Sequence, residues 1–185
     1  MVRVFMRVLI GAAILSGAAI GQEASVESAG VSEEGAEIVD RHSLETELTP
    51  VTGEPLPAVD LYISFEFDSA VLTQSAKRQL EELAAALNSE ALKGAAFGVY
   101  GHTDASGSAG YNLALSEKRA AAVSTFLTET ASVEPDRLTR RGFGKTRLKD
   151  PLRPYDSANR RVEIVMLTPP GKNPADDNGM TAITQ

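Results

Sequence analysis

Ala96-Phe97-Gly98-Val99-Tyr100-Gly101-His102-Thr103-Asp104 is a mostly apolar run that closes on a carboxylate, and the small residues Ala105 to Gly110 follow it. Read with its neighbours, this stretch decides the fold. Ala96 to Gly101 has the composition of a strand. From Tyr111 or Asn112 to Thr128, Leu115, Ala120 or Ala122, Val123 and Phe126 or Leu127 recur at helical spacing, and Arg137 to Gly142 is a third, weaker strand signal. A strand ending near Thr103 leaves Asp104 at the mouth of a loop, where Gly107 and Gly110 allow tight turns. The helix then carries Arg119, fifteen residues after Asp104, back beside it. One acceptor-only anion next to one forked cation suits a carbon that bears both an ammonium and a carboxylate. Free amino-acid ends of that kind occur in bacterial cell-wall peptides.

Outward from this unit the signals keep alternating. Upstream, Leu61, Ile63, Phe65 and Phe67 alternate with Tyr62, Ser64 and Glu66, the pattern of a half-buried strand ending at Asp68-Ser69. Gln74 to Leu92 reads as an amphipathic helix that buries Leu80, Leu83, Ala84, Leu87 and Ala91, with Thr73 as N-cap and Gly94 as stop. Downstream, Val162, Ile164 and Met166 mark a last strand over Arg160 to Leu167. The order is strand, helix, strand, helix, strand, a loop or short helix, then strand. Helices between strands predict an α/β (α+β) domain in which one sheet has helices packed on it.

Gly101-His102-Thr103-Asp104-Ala105-Ser106-Gly107, Tyr111-Asn112, Leu115-Ser116, Arg119-Ala120, Arg141-Gly142-Phe143-Gly144 and Asn159-Arg160-Arg161-Val162 together resemble the OmpA C-terminal domain family, over roughly Asp60 to Leu167. The resemblance implies a mixed sheet with one face covered by helices, and non-covalent binding of peptidoglycan through the diaminopimelate of its stem peptide. It assigns the main ligand contacts to Asp104, for the ammonium, and Arg119, for the carboxylate. With no ligand the two are expected to pair with each other. By the same resemblance Phe67 and Asp68 at the end of the first strand adjoin the ligand, and Thr103, Asn112 and Leu115 line the region. Each has an ordinary structural explanation too, as turn, cap or packing residue.

The remaining composition bounds location and excludes chemistry. Met1 to Gly21 carries Arg3 and Arg7 and a thirteen-residue apolar run, Val8 to Ile20, which is short for a span of about 20 residues and suits a secretory signal cleaved before Gln22. Kept uncleaved, the same segment would be an anchor, and the mass of the mature protein decides between the two. There are no cysteines, so no disulfide, no thiolate metal site and no lipid attachment point is expected, and no barrel strands are expected ahead of the domain. The expected location is the periplasm, in association with the cell wall and the outer membrane. Gln22 to Ala58 holds nine acids and one base, Arg41, for a formal charge of −8, and reads as a disordered acidic tether. Val59 to Thr168 has fourteen of each and is neutral, and the tail from Pro169 to Gln185 is expected to be mobile.

Arg137 to Arg161 contains nine bases and two acids, a candidate secondary basic surface that includes Arg160 and Arg161. The alternative for this pair is structural, pinning a loop carboxylate. Nucleic acid does not fit a secreted, neutral domain whose bases are not interleaved with aromatic residues. His42 and His102 are the only histidines, so no multi-histidine metal site can form, and neither a cofactor nor catalysis is expected. Two other readings stand beside a binding module: a weak peptidoglycan hydrolase using Asp68 and Asp104, and an adaptor whose acidic tether recruits an envelope protein.

Overall fold

The computed structural model of the chain describes residues 38–171. The expected signal segment, the first part of the tether and nearly all of the tail lie outside them. Four strands form one sheet in the order β1-β4-β2-β3: β1, Ala58–Leu61; β2, Ala96–His102; β3, Leu138–Gly144; and β4, Val162–Thr168. β4 is antiparallel to both of its neighbours, while β2 and β3 are parallel and joined by the helix α3, Ala109–Thr125. The helix α2 covers Gln74–Leu87. Phe97 and Val99 of β2 and Val162, Ile164 and Met166 of β4 bury against Leu80, Leu83 and Leu87 of α2 and Ala120 and Val123 of α3. Helix α3 ends in a wider five-residue π turn, Phe126–Thr130, that still buries Leu127. No helix of the described residues is long and apolar enough to cross a membrane.

Four expectations shift. The first strand was placed at Leu61 to Phe67, but β1 stops at Leu61, which faces Val162 at the very start of β4. Past that point β4 offers no backbone to pair with. The alternation runs on without a ladder: Leu61 and Ile63 are buried, Phe65 makes an isolated bridge to Leu72, and Phe67 is 99% exposed. α2 stops at Leu87 rather than Leu92, although Leu92 is still fully buried in the turn that follows.

On α3 and the turn that ends it Ala120, Val123 and Leu127 are buried as expected, and only Leu115 departs. Asn112, Ser116 and Ala120 point inward and Leu115 is half-buried. The cause lies beneath it. A Cβ on Gly101 of β2 would stand 2.3 Å from the Ser116 carbonyl oxygen, so helix and strand approach too closely for large side chains. The Ser116 hydroxyl accepts from the Gly144 amide at 2.8 Å, which satisfies the polar atom that this close approach buries.

The fourth correction concerns the tether. Arg41–Leu48 is a helix, α1, whose Asp40 cap accepts from the His42 and Ser43 amides. Leu44 and Leu48, one turn apart, are fully buried, and the Gln79 amide of α2 holds both the N–H and the C=O of Val39, at 2.7 and 2.9 Å. Two fully buried leucines contribute about 1.5–3 kcal/mol each. That gain outweighs the charge of the segment, which had favoured disorder.

Candidate functional site

The C-terminal end of β2 delivers the first half of the site. The His102 amide donates to the Arg161 carbonyl and the Thr103 amide to the Gly144 carbonyl, both at 3.0 Å, so the strand is gripped on both sides just before Asp104. Thr103 is buried and its hydroxyl donates to the Asp104 carbonyl. Asp104 is itself nearly buried. Its Oδ1 accepts from the Ser106 amide at 2.9 Å, and its Oδ2 from Arg160 Nη1 at 2.7 Å. Buried Asn112 donates to the Ser106 and Asp104 carbonyls, which ties the loop to α3. Gly107, at φ +76°, turns the loop, whereas Gly110 lies inside the first turn of α3.

The second half rides on α3. Arg119 Nε donates to the Ser69 carbonyl at 3.0 Å, and the guanidinium lies 4.7 Å from the centre of the Phe65 ring. Among the described residues only Nε of that group is hydrogen-bonded, which leaves the two terminal nitrogens unspent. Burial and the charge of Arg160 push the Arg119 pKa down, against the pull of Asp68 and Asp104, but a guanidinium stays a cation. Asp68, exposed and at φ 51°, accepts from the Tyr111 hydroxyl. Phe67 beside it touches solvent on nearly all its surface.

Arg119 and Arg160 line one cleft of about 410 Å³, with Tyr62, Phe65, His102 and Arg161 also in its walls. The expected bridge between Asp104 and Arg119 is not formed. Antiparallel pairing sets His102 opposite Arg161, and Asp104, two residues past His102, meets Arg160, one past Arg161, beyond the end of the ladder. Arg119 turns instead to Phe65 and Ser69, two partners that the sequence reading had assigned to a core strand and a turn. A signal for them existed: an aromatic at the frayed end of a strand is a ready seat for a cation.

Burial pushes the Asp104 carboxyl up, but the Arg160 guanidinium and the hydrogen bonds from Ser106 outweigh it and hold the group below the ordinary carboxylate range. His102 belongs to the strand rather than to a turn. Its buried ring stacks on Phe143 and its Nε2 lies 3.2 Å from Glu163 Oε2, while Nδ1 has no partner among the described residues. That hydrogen bond, partly offset by burial, lowers the Glu163 pKa.

Two members of the basic stretch, Arg137 and Arg161, are spent inside the molecule, whereas Arg140, Arg141, Arg147, Lys149, Arg153 and Arg160 are exposed. Arg137 is buried and donates to the Ala95, Leu87 and Leu92 carbonyls at 2.7–2.9 Å. Arg161 Nε holds Asp60 at 2.8 Å, and Lys149 Nζ reaches the same carboxylate at 2.6 Å. Arg140 and Arg141, with Lys118, rim a second cleft between α3 and β3. Among the described residues no group of three or more His, Cys, Asp or Glu side chains is placed to hold a metal.

A sequence profile described as the OmpA family matches residues 64–163, more than half of the chain. The Photosystem I P700 chlorophyll a apoprotein A2 of Gloeobacter violaceus is 33% identical over 135 residues, which cover 67% of this chain and 15% of that protein. Outer membrane protein A of Citrobacter freundii is 30% identical over 115 residues, 57% of this chain and 48% of that one. The chain thus spans half or less of the length of these two curated relatives. Among solved structures, the periplasmic domain of Helicobacter pylori MotB (residues 97–256) aligns with a TM-score of 0.53 at 24% identity, covering 65% of this chain and 87% of that domain, a likeness of fold.

Proposed function

The chain belongs to the OmpA family, and we propose that its folded region binds cell-wall peptidoglycan without acting on it chemically. In this reading the side-chain end of a diaminopimelate residue enters the cleft, its carboxylate on Arg119 and its ammonium on Asp104. The observation that carries it is the state of Arg119. The guanidinium is fixed from behind by Ser69 and from one face by Phe65, yet its terminal fork is unspent in an open cleft. A preset fork of this kind grips a carboxylate in two parallel bonds. Phe67, Asp68, Thr103, Asn112 and Leu115 then act around the pair, the buried Thr103 and Asn112 by holding the loop and the exposed Phe67 by offering apolar surface to the rest of the peptide.

A hydrolytic reading loses ground on the same chemistry. Asp104 sits on a guanidinium that keeps it ionised, which is the wrong state for a general acid. We place the protein in the periplasm, held to the wall by residues 39–168, with the acidic residues ahead of them as a spacer.

Titration of the full chain with a diaminopimelate stem peptide beside its lysine counterpart tests the proposal. Lysine keeps the ammonium and lacks the second carboxylate, so Arg119 loses its partner. Loss of one charged hydrogen bond predicts at least about tenfold weaker binding of the lysine peptide. Equal affinities overturn the assignment.

A further inference from the structure

Asp104 is already occupied in the free protein. Its Oδ2 is taken by Arg160 at 2.7 Å, and Arg160 lines the same cleft as Arg119. An ammonium entering that site unaided meets a carboxylate whose charge is cancelled, with a second cation facing it. Arg160 is near enough for its charge to be among the influences that depress Arg119. Arg160 is also built to let go. Its backbone amide is fixed to the Ser157 carbonyl, but its side chain is 48% exposed and makes no hydrogen bond other than the one to Asp104 among the described residues.

We propose that Arg160 is a displaceable counter-ion: the ligand's ammonium replaces it on Asp104, and the freed guanidinium takes a second carboxylate of the same ligand. This rests on the diaminopimelate reading above and deepens it into a ligand class. The cleft then matches a peptide end with one ammonium and two carboxylates, rather than a bare zwitterion. A stem peptide carries two further carboxylates beside the diaminopimelate, on the γ-linked glutamate and at the C-terminus, and the one assigned to Arg160 is the C-terminal. Cross-linking joins the amine of one stem to the carbonyl of another, so each linked stem has lost one of the two groups. The site is thereby selective for stems free at both positions.

The deciding experiment is calorimetric titration of the full-length wild type and Arg160→Gln with a diaminopimelate tetrapeptide, supplied as the C-terminal acid and as the C-terminal amide. Wild type is expected to prefer the acid by about tenfold or more, the size of one lost charged bond. Arg160→Gln should show no preference and should bind the amide more tightly than wild type does, because its Asp104 is already vacant. Arg160→Lys, with charge but no fork, should show an intermediate preference. Acid and amide bound within twofold by wild type, or a preference retained in Arg160→Gln, overturn the exchange while leaving the diaminopimelate reading intact. Wild type binding neither peptide brings down both. Should Arg160→Gln fail to fold, the acid-to-amide ratio of wild type still decides.

Discussion

Arg160 and Arg161 are neighbours in the chain and each holds an aspartate, but they do so in opposite settings. Arg161 is 7% exposed, bonds Asp60 from the body of the sheet, and shares that carboxylate with Lys149. Arg160 is about half exposed and lines an open cleft, while its partner Asp104 is itself nearly buried. The chemistry of the two pairs is the same. Their cost of rupture is not, because the arginines differ: Arg161 stripped of its partner has no water to turn to, whereas the Arg160 guanidinium is rehydrated at once. The first pair is therefore scaffold, and the second is available for exchange.

Arg161→Ala tests this contrast most severely. It is expected to lower unfolding free energy in urea by about 2–3 kcal/mol, somewhat under the usual cost of breaking a buried pair because Lys149 still serves Asp60. Arg160→Ala should cost less, about 1 kcal/mol, because the nearly buried Asp104 that it leaves behind keeps the Ser106 amide. Equal losses would erase the distinction. The next effect is on binding: Arg119→Ala and Asp104→Asn should each weaken sacculus pull-down by about tenfold or more, and Asp60→Asn should leave it unchanged while lowering stability. Unaltered pull-down by both Arg119→Ala and Asp104→Asn would show that the cleft is not where the wall is held.

Smaller still are the pH effects, which separate the pairs by sign. The pKa of Asp104 is depressed in the folded state, so its contribution is complete above the unfolded value of about 3.9 and fades as pH falls through the folded one. For Lys149, burial pulls the pKa down, but the bonds to Asp60 and Tyr62 prevail and leave it raised. Its contribution is complete below about pH 10.4 and fades as pH rises through the folded value. Thermal melts should therefore lose part of their acid slope in Asp104→Asn and part of their alkaline slope in Lys149→Met. An unchanged slope in either variant would remove that side chain from the account.

Much of this architecture was readable from residue order alone. Thr73 was identified as a cap from its place ahead of a helical stripe, and its hydroxyl does accept from the Ala76 amide. The strand-helix-strand unit around Asp104 was legible because periodicity there changes from strand-like to helical and back. What escaped was long-range. Nothing in Leu61 to Phe67 reveals where β4 begins, so the end of the ladder could not be read from the alternation of β1. The pairing of Asp104 with Arg160 likewise depends on the β2-β4 register, 56 positions apart in sequence. Arg160 had been named only for a basic surface or a structural clamp. Leu44 and Leu48 were outvoted by the acids around them, since two apolar residues count for little until the surface that receives them is known.

Arg137 has a consequence for how the molecule opens. Its guanidinium joins the carbonyls of Leu87 at the end of α2, Leu92 in the following turn and Ala95 just ahead of β2, all from a position immediately before the edge strand β3. A sheet edge normally frays independently, at a low local free energy. Here peeling β3 away would also uncap α2 and strip the Arg137 donors from three carbonyls, of which Leu92 alone, among the described residues, keeps the Ala95 amide, so the rim should exchange its amide hydrogens together with the end of that helix, as one cooperative unit.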